Sequence, residues 1–280
     1  MLGQESYYLP KEYLGEYMKN RIITIIKTAV SSKYIFVGLL FFCVLISGMV
    51  VSVFMGEDTE KTAVSNRELP IYSVDTKEKK VALSFDAAWG NEDTAEILAI
   101  LKKHDVKVTF FMTGGWVEKY PDDVKAIAAA GHDLGNHSEN HKQMSKLSYE
   151  DCQDEIMKVH EKVELLTGES MFLFRPPYGD YNDTLIVAAE EKGYYTIQWD
   201  CDSLDWMDYG AENIIKTVLH HRNLRNGSII LMHNGAKYTK DALESVITGL
   251  KELGYEIVPI SELIYSEDYE IDHTGRQFKK

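Results

Sequence analysis

Residues 34–56, YIFVGLLFFCVLISGMVVSVFMG, contain no charged side chain. A helix needs about 20 mostly apolar residues to cross a bilayer core, so this run is long enough. A cleaved leader has a shorter apolar region, about 7–15 residues, that ends in a small-residue cleavage site. Met55-Gly56-Glu57-Asp58 is a poor version of such a site. The pattern therefore predicts an uncleaved anchor over 34–56. Segment 1–33 carries five cations (Lys11, Lys19, Arg21, Lys27, Lys33) against three anions, whereas the far flank opens with Glu57, Asp58 and Glu60. Positive residues favour the cytoplasmic side. The expectation is a single-pass membrane protein with 1–33 in the cytoplasm and everything after residue 56 outside the cell.

Beyond the anchor, residues 57–78 are polar and irregular and read as a stalk. Apolar and β-branched runs then alternate with stretches of helical period. VALSF (81–85), VKVTFFM (106–112), MFLF (171–174), YYTIQW (194–199), SIILM (228–232) and YEIVPI (255–260) read as strands. Asn91–Lys103 reads as a helix with Ile97, Leu98 and Leu101 on one side. Pro121–Ala130 is a second helix, with proline in its first turn and Gly131 after it. Ser148 with Asp151 marks the start of a third, which carries Ile156, Val159, Val163 and Leu166 and stops at Gly168. Strands alternating with helices predict an α/β fold of parallel βα units, as a sheet or a barrel.

Charge and cysteine content narrow the function. The 280-residue chain has 30 basic and 44 acidic side chains, a net charge of −14. Beyond residue 56 the balance is 25 basic to 41 acidic. A generally basic nucleic-acid binder is excluded, because phosphate contacts need clustered cations. Three cysteines rule out a dense disulfide framework, and no CxxC pair is present. Cys43 falls in the anchor. Cys152 and Cys201 are free to pair in an oxidising space or to remain buried thiols, and the sequence leaves both open.

Unusual polar residues gather where predicted strands end, which is where α/β folds place their chemistry. Asp86 follows the first strand in SFDAAWG. His137 and His141 stand four apart in GNHSENH; on a helical turn that spacing puts both imidazoles on one face, as a shared metal ion needs. Arg175 follows MFLF in FRPPYGD, where two prolines stiffen the loop that carries Tyr178. WDCDSLDW brings Asp205 and Trp206. His233 ends the apolar strand SIILM. Taken singly, each has a plain structural reading: a surface HxxxH, a polar turn, a satisfied core histidine.

In this order, the five motifs resemble the polysaccharide deacetylase family, which shares the NodB homology domain. The resemblance covers about residues 79–265 and leaves 266–280 as a tail. The FDAAWG form is similar to the sporulation and cell-wall deacetylases of Gram-positive bacteria. The resemblance implies a distorted (β/α) barrel with fewer than eight complete units. It also implies removal of N-acetyl groups from a peptidoglycan-type or chitin-like glycan with a divalent ion, zinc being the expected one. Residue by residue it implies Asp86 as base, Arg175 as its partner, His137 and His141 as metal ligands, and His233 as acid with Asp205 tuning it. Tyr178 would offer a backbone N–H to the oxyanion, Trp206 would wall the groove and Leu231 would line the acetyl pocket.

One position departs from the family pattern. The family's second aspartate, its third metal ligand, is here Ala87. Asn91, Glu92, Asp93, a water or Asp86 itself could fill the gap. The departure keeps a second function in view: a glycan-binding protein on the same fold with weak or no turnover.

Overall fold

The structure, a computed structural model, describes residues 15–28, 30 and 67–280. The expected anchor at 34–56, Cys43 and the first part of the stalk lie outside the described residues. Among the described residues, no helix is long and apolar enough to cross a membrane. The chain divides into two units, 1–66 and 67–280. In the first, residues 15–28 form helix α1.

The second unit is a curled parallel sheet backed by helices. After β1 (Ser73–Val74) come β2 (Lys80–Ala87), β3 (Thr109–Met112), β4 (Asp133–Asn136), β5 (Leu173–Phe174), β6 (Tyr195–Thr196), β7 (Cys201–Asp202) and β8 (Ile229–His233). Their spatial order is β6-β5-β4-β3-β2-β8-β7, and β9 (Glu256–Val258) also pairs with β2. Each pairing in this sheet is parallel. Helices α2 (Thr94–Lys103), α3 (Gly114–Lys119), α4 (Pro121–Ala129), α5 (Tyr149–Thr167), α6 (Asp183–Glu190), α7 (Ala211–Leu219) and α8 (Thr239–Glu252) follow in chain order, with the short α9 (Ile260–Leu263) after β9. This is the expected βα architecture, built as an incomplete barrel.

The sheet has two apolar faces, and strand periodicity assigns residues to them. Val81, Leu83, Phe85 and Ala87 join a large cluster with helix residues such as Ile97, Leu101, Trp116 and Val246. Ala82 joins a second cluster with Ile71, Phe111, Leu173, Ile197, Ile229 and Val258. Successive side chains on a strand alternate faces, so Ser84 and Asp86 share the face of Ala82. Central β2 thus carries its one carboxylate inward at its C-terminal end.

Helix α5 begins and ends as its sequence signals demand. The Ser148 hydroxyl accepts a hydrogen bond from the Asp151 N–H at 3.1 Å, and Gly168 takes the left-handed conformation (φ 77) that closes the helix.

Two readings of the chain need correction. Residues 67–78 and 266–280, read as the end of a stalk and as a tail, belong to the folded unit. β1 pairs in parallel with β11 (Arg276–Lys279), which runs antiparallel to β10 (Tyr269–Ile271). Val74 is fully buried in this arrangement, and buried Gln277 exchanges two hydrogen bonds with the Tyr265 backbone, at 2.8 and 2.7 Å. The short polar strands escape hydropathy because their order comes from pairing with a neighbour. For the same reason DLGN, the whole of β4, has no strand signature although it is central in the sheet. Cys152 and Cys201 are both buried free thiols.

His132, beside β4, is buried and neutral. Its Nδ1 accepts the Val108 N–H at 3.3 Å, and its ring packs on Phe110 at 5.5 Å. Burial, reinforced by the Lys107 charge, pushes its pKa down from 6.5 to about 4. Between those values the unfolded chain binds more protons than the native one, so stability falls as pH drops from 6.5 towards 4. The urea midpoint of residues 67–280 is expected to be lower at pH 5 than at pH 7.5, and the drop should be smaller in His132→Asn. Equal drops in the two proteins would contradict the assignment.

Candidate active site

The site is built around an arginine. Arg175 follows β5 directly, and its own N–H donates to the Asn136 carbonyl at 2.9 Å. The side chain is fully buried. Nη1 donates to Asp86 Oδ1 at 2.7 Å, while Nη2 donates to Ser84 Oγ at 2.9 Å and to the Gln198 carbonyl at 3.3 Å. Ser84 Oγ passes its own proton to the Ile230 carbonyl at 2.8 Å. The guanidinium lies 4.1 Å from the centre of the Phe111 ring and 5.6 Å from Trp199. Gly135 makes room for that ring, because a Cβ there would fall 2.5 Å from a Phe111 ring carbon. Burial alone would raise the Asp86 pKa, but the Arg175 charge first, then the neighbouring histidines, His233 among them, and the Arg175 hydrogen bond together outweigh it and hold the carboxyl below its ordinary range. Asp86 is therefore an ionised carboxylate whose Oδ1 is committed and whose Oδ2 faces the cleft.

His137 and His141 do meet, but not on a helical turn. They lie in an irregular loop after β4, with Ser138 and His141 at positive φ (65 and 52). Local hydrogen bonds fix that loop. The Ser138 N–H donates to Asn136 Oδ1 at 3.0 Å, and the His141 N–H to Ser138 Oγ at 3.1 Å. Buried Glu155, on α5, accepts from the Asn140 N–H, Asn140 Nδ2 and Lys142 Nζ at 2.7–2.8 Å. The two imidazole centres end 5.0 Å apart. His137 Nδ1 lies 2.7 Å from the Arg175 carbonyl, an acceptor only, so this nitrogen carries the proton. Nε2 then turns its lone pair towards Asp86 Oδ2, 3.5 Å away. Burial pushes the His137 pKa down to about 4 and lowers that of His141 as well, so both rings are neutral near pH 7.

His233 ends β8 on the other side of Asp86, paired with it in register. Its Nδ1–H donates to Asp205 Oδ1 at 2.7 Å and its backbone N–H to Oδ2 at 2.7 Å; the Thr239 hydroxyl adds a third bond at 2.6 Å. Burial opposes the imidazolium, yet the Asp205 hydrogen bond, the Asp205 charge and those of Asp86 and Asp202 prevail and raise its pKa. One histidine pair is thus shifted towards the neutral form and a third histidine towards the charged form, within one cleft.

The cleft has a volume of about 490 Å³. Asp86, His137, His141 and His233 open into it, with Leu231 nearly buried and Tyr178 and Trp206 more than half exposed at its rim. Tyr178 has positive φ (61) in its turn and packs edge-on against His141 at 4.5 Å. Trp89 and Trp199 also line the cleft, and the Trp89 ring lies 5.0 Å from that of His233. Trp116 is core, donating to the Gly90 carbonyl at 3.1 Å. Asp202 also lines the cleft, although the motif that contains it had yielded only Asp205 and Trp206. Thr239 and Ser84 had no signal, since nothing in a sequence marks a hydroxyl that orients another side chain.

The metal reading fits in part. Two neutral imidazoles, one with its tautomer fixed, form a suitable pair of donors. Asp86 Oδ2, 3.5 Å from His137 Nε2, is the nearest anionic oxygen, and using it would take up the base; no other third donor is in place among the described residues. Ala87 is fully buried in the helix-facing cluster. Asn91 donates to Asp123 at 2.6 Å, and Asp93 spends both oxygens on the Gly235 N–H at 2.9 and 3.0 Å. The Glu92 carboxylate lies against Gly90, away from the cleft lining. None of these three reaches back. Among the described residues, no cluster of three or more His, Cys, Asp or Glu side chains is arranged to hold a metal ion.

Comparison with known proteins agrees with the geometry. The profile described as polysaccharide deacetylase matches residues 73–197. A peptidoglycan-N-acetylglucosamine deacetylase of Bacillus cereus is 35% identical, over 69% of this chain and 92% of its own. The uncharacterized protein YlxY of Bacillus subtilis is 37% identical over 70% of this chain, which spans 60% of that relative's length. Among solved structures, BA3943 of Bacillus anthracis, described as a CE4 family pseudoenzyme, aligns with a TM-score of 0.67 and 35% identity, covering 75% of this chain and 73% of its own. A BA3943 mutant described as having restored enzymatic activity gives 39% identity at the same TM-score, covering 69% of this chain and 70% of its own. With its motifs gathered in one cleft at the ends of parallel strands, and with these relatives, the chain belongs to the polysaccharide deacetylase family.

Proposed function

We propose that the protein is a membrane-anchored, extracytoplasmic hydrolase that removes N-acetyl groups from a peptidoglycan-type glycan. The observation that carries this reading is the opposed pair in the cleft: Asp86 held ionised by Arg175, and His233 held charged by Asp205. A protein that only binds sugar has no use for a base and an acid set to opposite protonation states. Asp86 Oδ2 accepts the proton of a water attacking the acetyl carbonyl. His233 Nε2 delivers a proton to the departing amine, which is too basic to leave as an anion. Trp89, Trp199 and Trp206 offer apolar faces to pyranose rings, and Leu231 offers an apolar wall to the acetyl methyl group. The relatives named for peptidoglycan support that substrate, and the charge-free run at 34–56 supports the anchor. No step is assigned to a metal, because the described donors stop at two.

A second reading has its own support. The absent third donor and the similarity to BA3943 favour a glycan-binding protein with little or no turnover. Measured acetate release from N-acetylated peptidoglycan fragments, alongside glycan affinity, separates the two. The hydrolase is expected to release acetate, and Asp86→Asn to lower the rate by about 10²–10⁴ while leaving affinity nearly unchanged. Binding without acetate from wild type, with or without added Zn²⁺, would establish the second reading.

The rate should also follow pH in a defined direction. It is expected to fall as pH rises through the raised pKa of His233, because the acid is then lost. His233→Gln should remove that alkaline limb together with most of the rate. A rate that climbs steadily above pH 8 would contradict the acid assignment.

Zinc titration tests the donors. Wild type is expected to take up one ion weakly, and His137→Ala/His141→Ala to take up none. Equal uptake by the two proteins would show that the imidazole pair is not the site.

A further inference from the structure

Helix α1 carries a second interaction surface, independent of the glycan cleft. Within 15–28, Met18, Ile22, Ile25 and Ile26 recur at three- and four-residue spacing and so share one face. Ile25 is 64% exposed and Ile26 56%. The opposite face holds Asn20, Arg21, Thr24, Lys27 and Thr28. There the Thr24 hydroxyl donates to the Asn20 carbonyl at 2.9 Å and the Thr28 hydroxyl to the Thr24 carbonyl at 2.8 Å. These bonds satisfy the threonines within the helix, whereas the apolar stripe lies exposed; Ile23, 42% exposed, stands outside it. Tyr17 and Arg21 stack at 5.9 Å along one border, and Lys19 stands on the other.

A helix this short is marginal in water by itself, and a bare isoleucine stripe makes its exposure costly. Charge identifies what covers it. Residues 15–28 carry Lys19, Arg21 and Lys27 against Glu16 alone, in a chain whose net charge is −14. Lys19 and Arg21 border the apolar stripe, where long basic side chains can lie along it and reach outward, and Lys27 stands on the polar face. The charge-free run starts at Tyr34, six residues after Thr28. A short amphipathic helix with basic borders, joined closely to such a run, matches an in-plane interfacial helix.

We propose that α1 lies flat on a bilayer surface carrying anionic lipid, with Met18, Ile22, Ile25 and Ile26 in the acyl boundary and Arg21 and Lys27 at the headgroups. The helix adds an electrostatic contact to whatever holding the 34–56 run provides. It also orients the chain as it enters the membrane.

The test uses the full chain, reconstituted into vesicles of phosphatidylcholine alone or with phosphatidylglycerol, and nitroxide labels at Ile25→Cys or Thr24→Cys in a background where Cys43, Cys152 and Cys201 are serine. Collision with oxygen against a water-soluble nickel chelate reports depth. Labels at 25 are expected to sit in the acyl region and labels at 24 in water, with the contrast larger in the phosphatidylglycerol vesicles and reduced at least twofold by Lys19→Glu/Lys27→Glu. Equal nickel accessibility at 24 and 25 in both lipids would overturn the proposal. So would dipolar broadening between labels at 25 that persists without anionic lipid, since a second copy would then be the occupant.

Discussion

Everything in the cleft depends on how one buried ion pair is satisfied. Asp86 and Arg175 meet at 2.7 Å with almost no solvent contact. Charges taken from water cost several kcal/mol each, and a buried pair recovers that only with good geometry and further hydrogen bonds. The structure supplies them through Ser84, the Gln198 carbonyl and the Phe111 face, with Gly135 leaving the ring its space. Losing one partner of such a pair typically costs about 3–5 kcal/mol, because the other charge is left buried and alone. The pair is thus a demand on the fold as well as a feature of the site, and it sets the protonation state of the cleft's base.

The same residue links base and imidazoles. The Arg175 carbonyl receives His137 Nδ1–H while its guanidinium holds Asp86, so one residue fixes the tautomer of the histidine and the charge of the carboxylate. Opposite them, Asp205 gathers three donors, and His233 takes a proton that burial alone would deny it. Burial prevails at His137 and His141 and favours their neutral form, whereas the Asp205 carboxylate prevails at His233 and favours its charged form. What the cleft lacks, among the described residues, is an anionic third donor other than the base Asp86 itself, whose Oδ2 lies 3.5 Å from His137 Nε2, and the bracing of the loop by Glu155 does not supply one.

The sequence showed the chemistry more fully than its scaffold. Strand-end placement drew attention to the segments that hold Asp86, Arg175, Asp205 and His233, because a carboxylate or a cation beside an apolar run needs a partner, and the family resemblance singled out these residues and implied their roles. It missed β4, since DLGN has no apolar alternation and is held as a strand by β3 and β5. It also made HxxxH a helical turn, whereas Ser138 and His141 adopt positive φ in a loop that Asn136, Ser138 and Glu155 hold by hydrogen bonds no spacing rule encodes. Trp89 and Trp199 carry no signal in the sequence for a simpler reason. An indole is equally at home in a core or on a sugar ring, and only the curl of the sheet brings these two to the cleft.

The most direct test of this account is the titration of Asp86 itself, followed by the ¹³C shift of its carboxyl carbon in the 67–280 unit, assigned with Asp86→Asn. If Arg175 governs the site, Asp86 remains a carboxylate as pH falls and its midpoint lies below the ordinary value of 3.8. A midpoint above that value would mean that burial outweighs the ion pair, and the claim that Arg175 sets the charge of this carboxylate would be wrong.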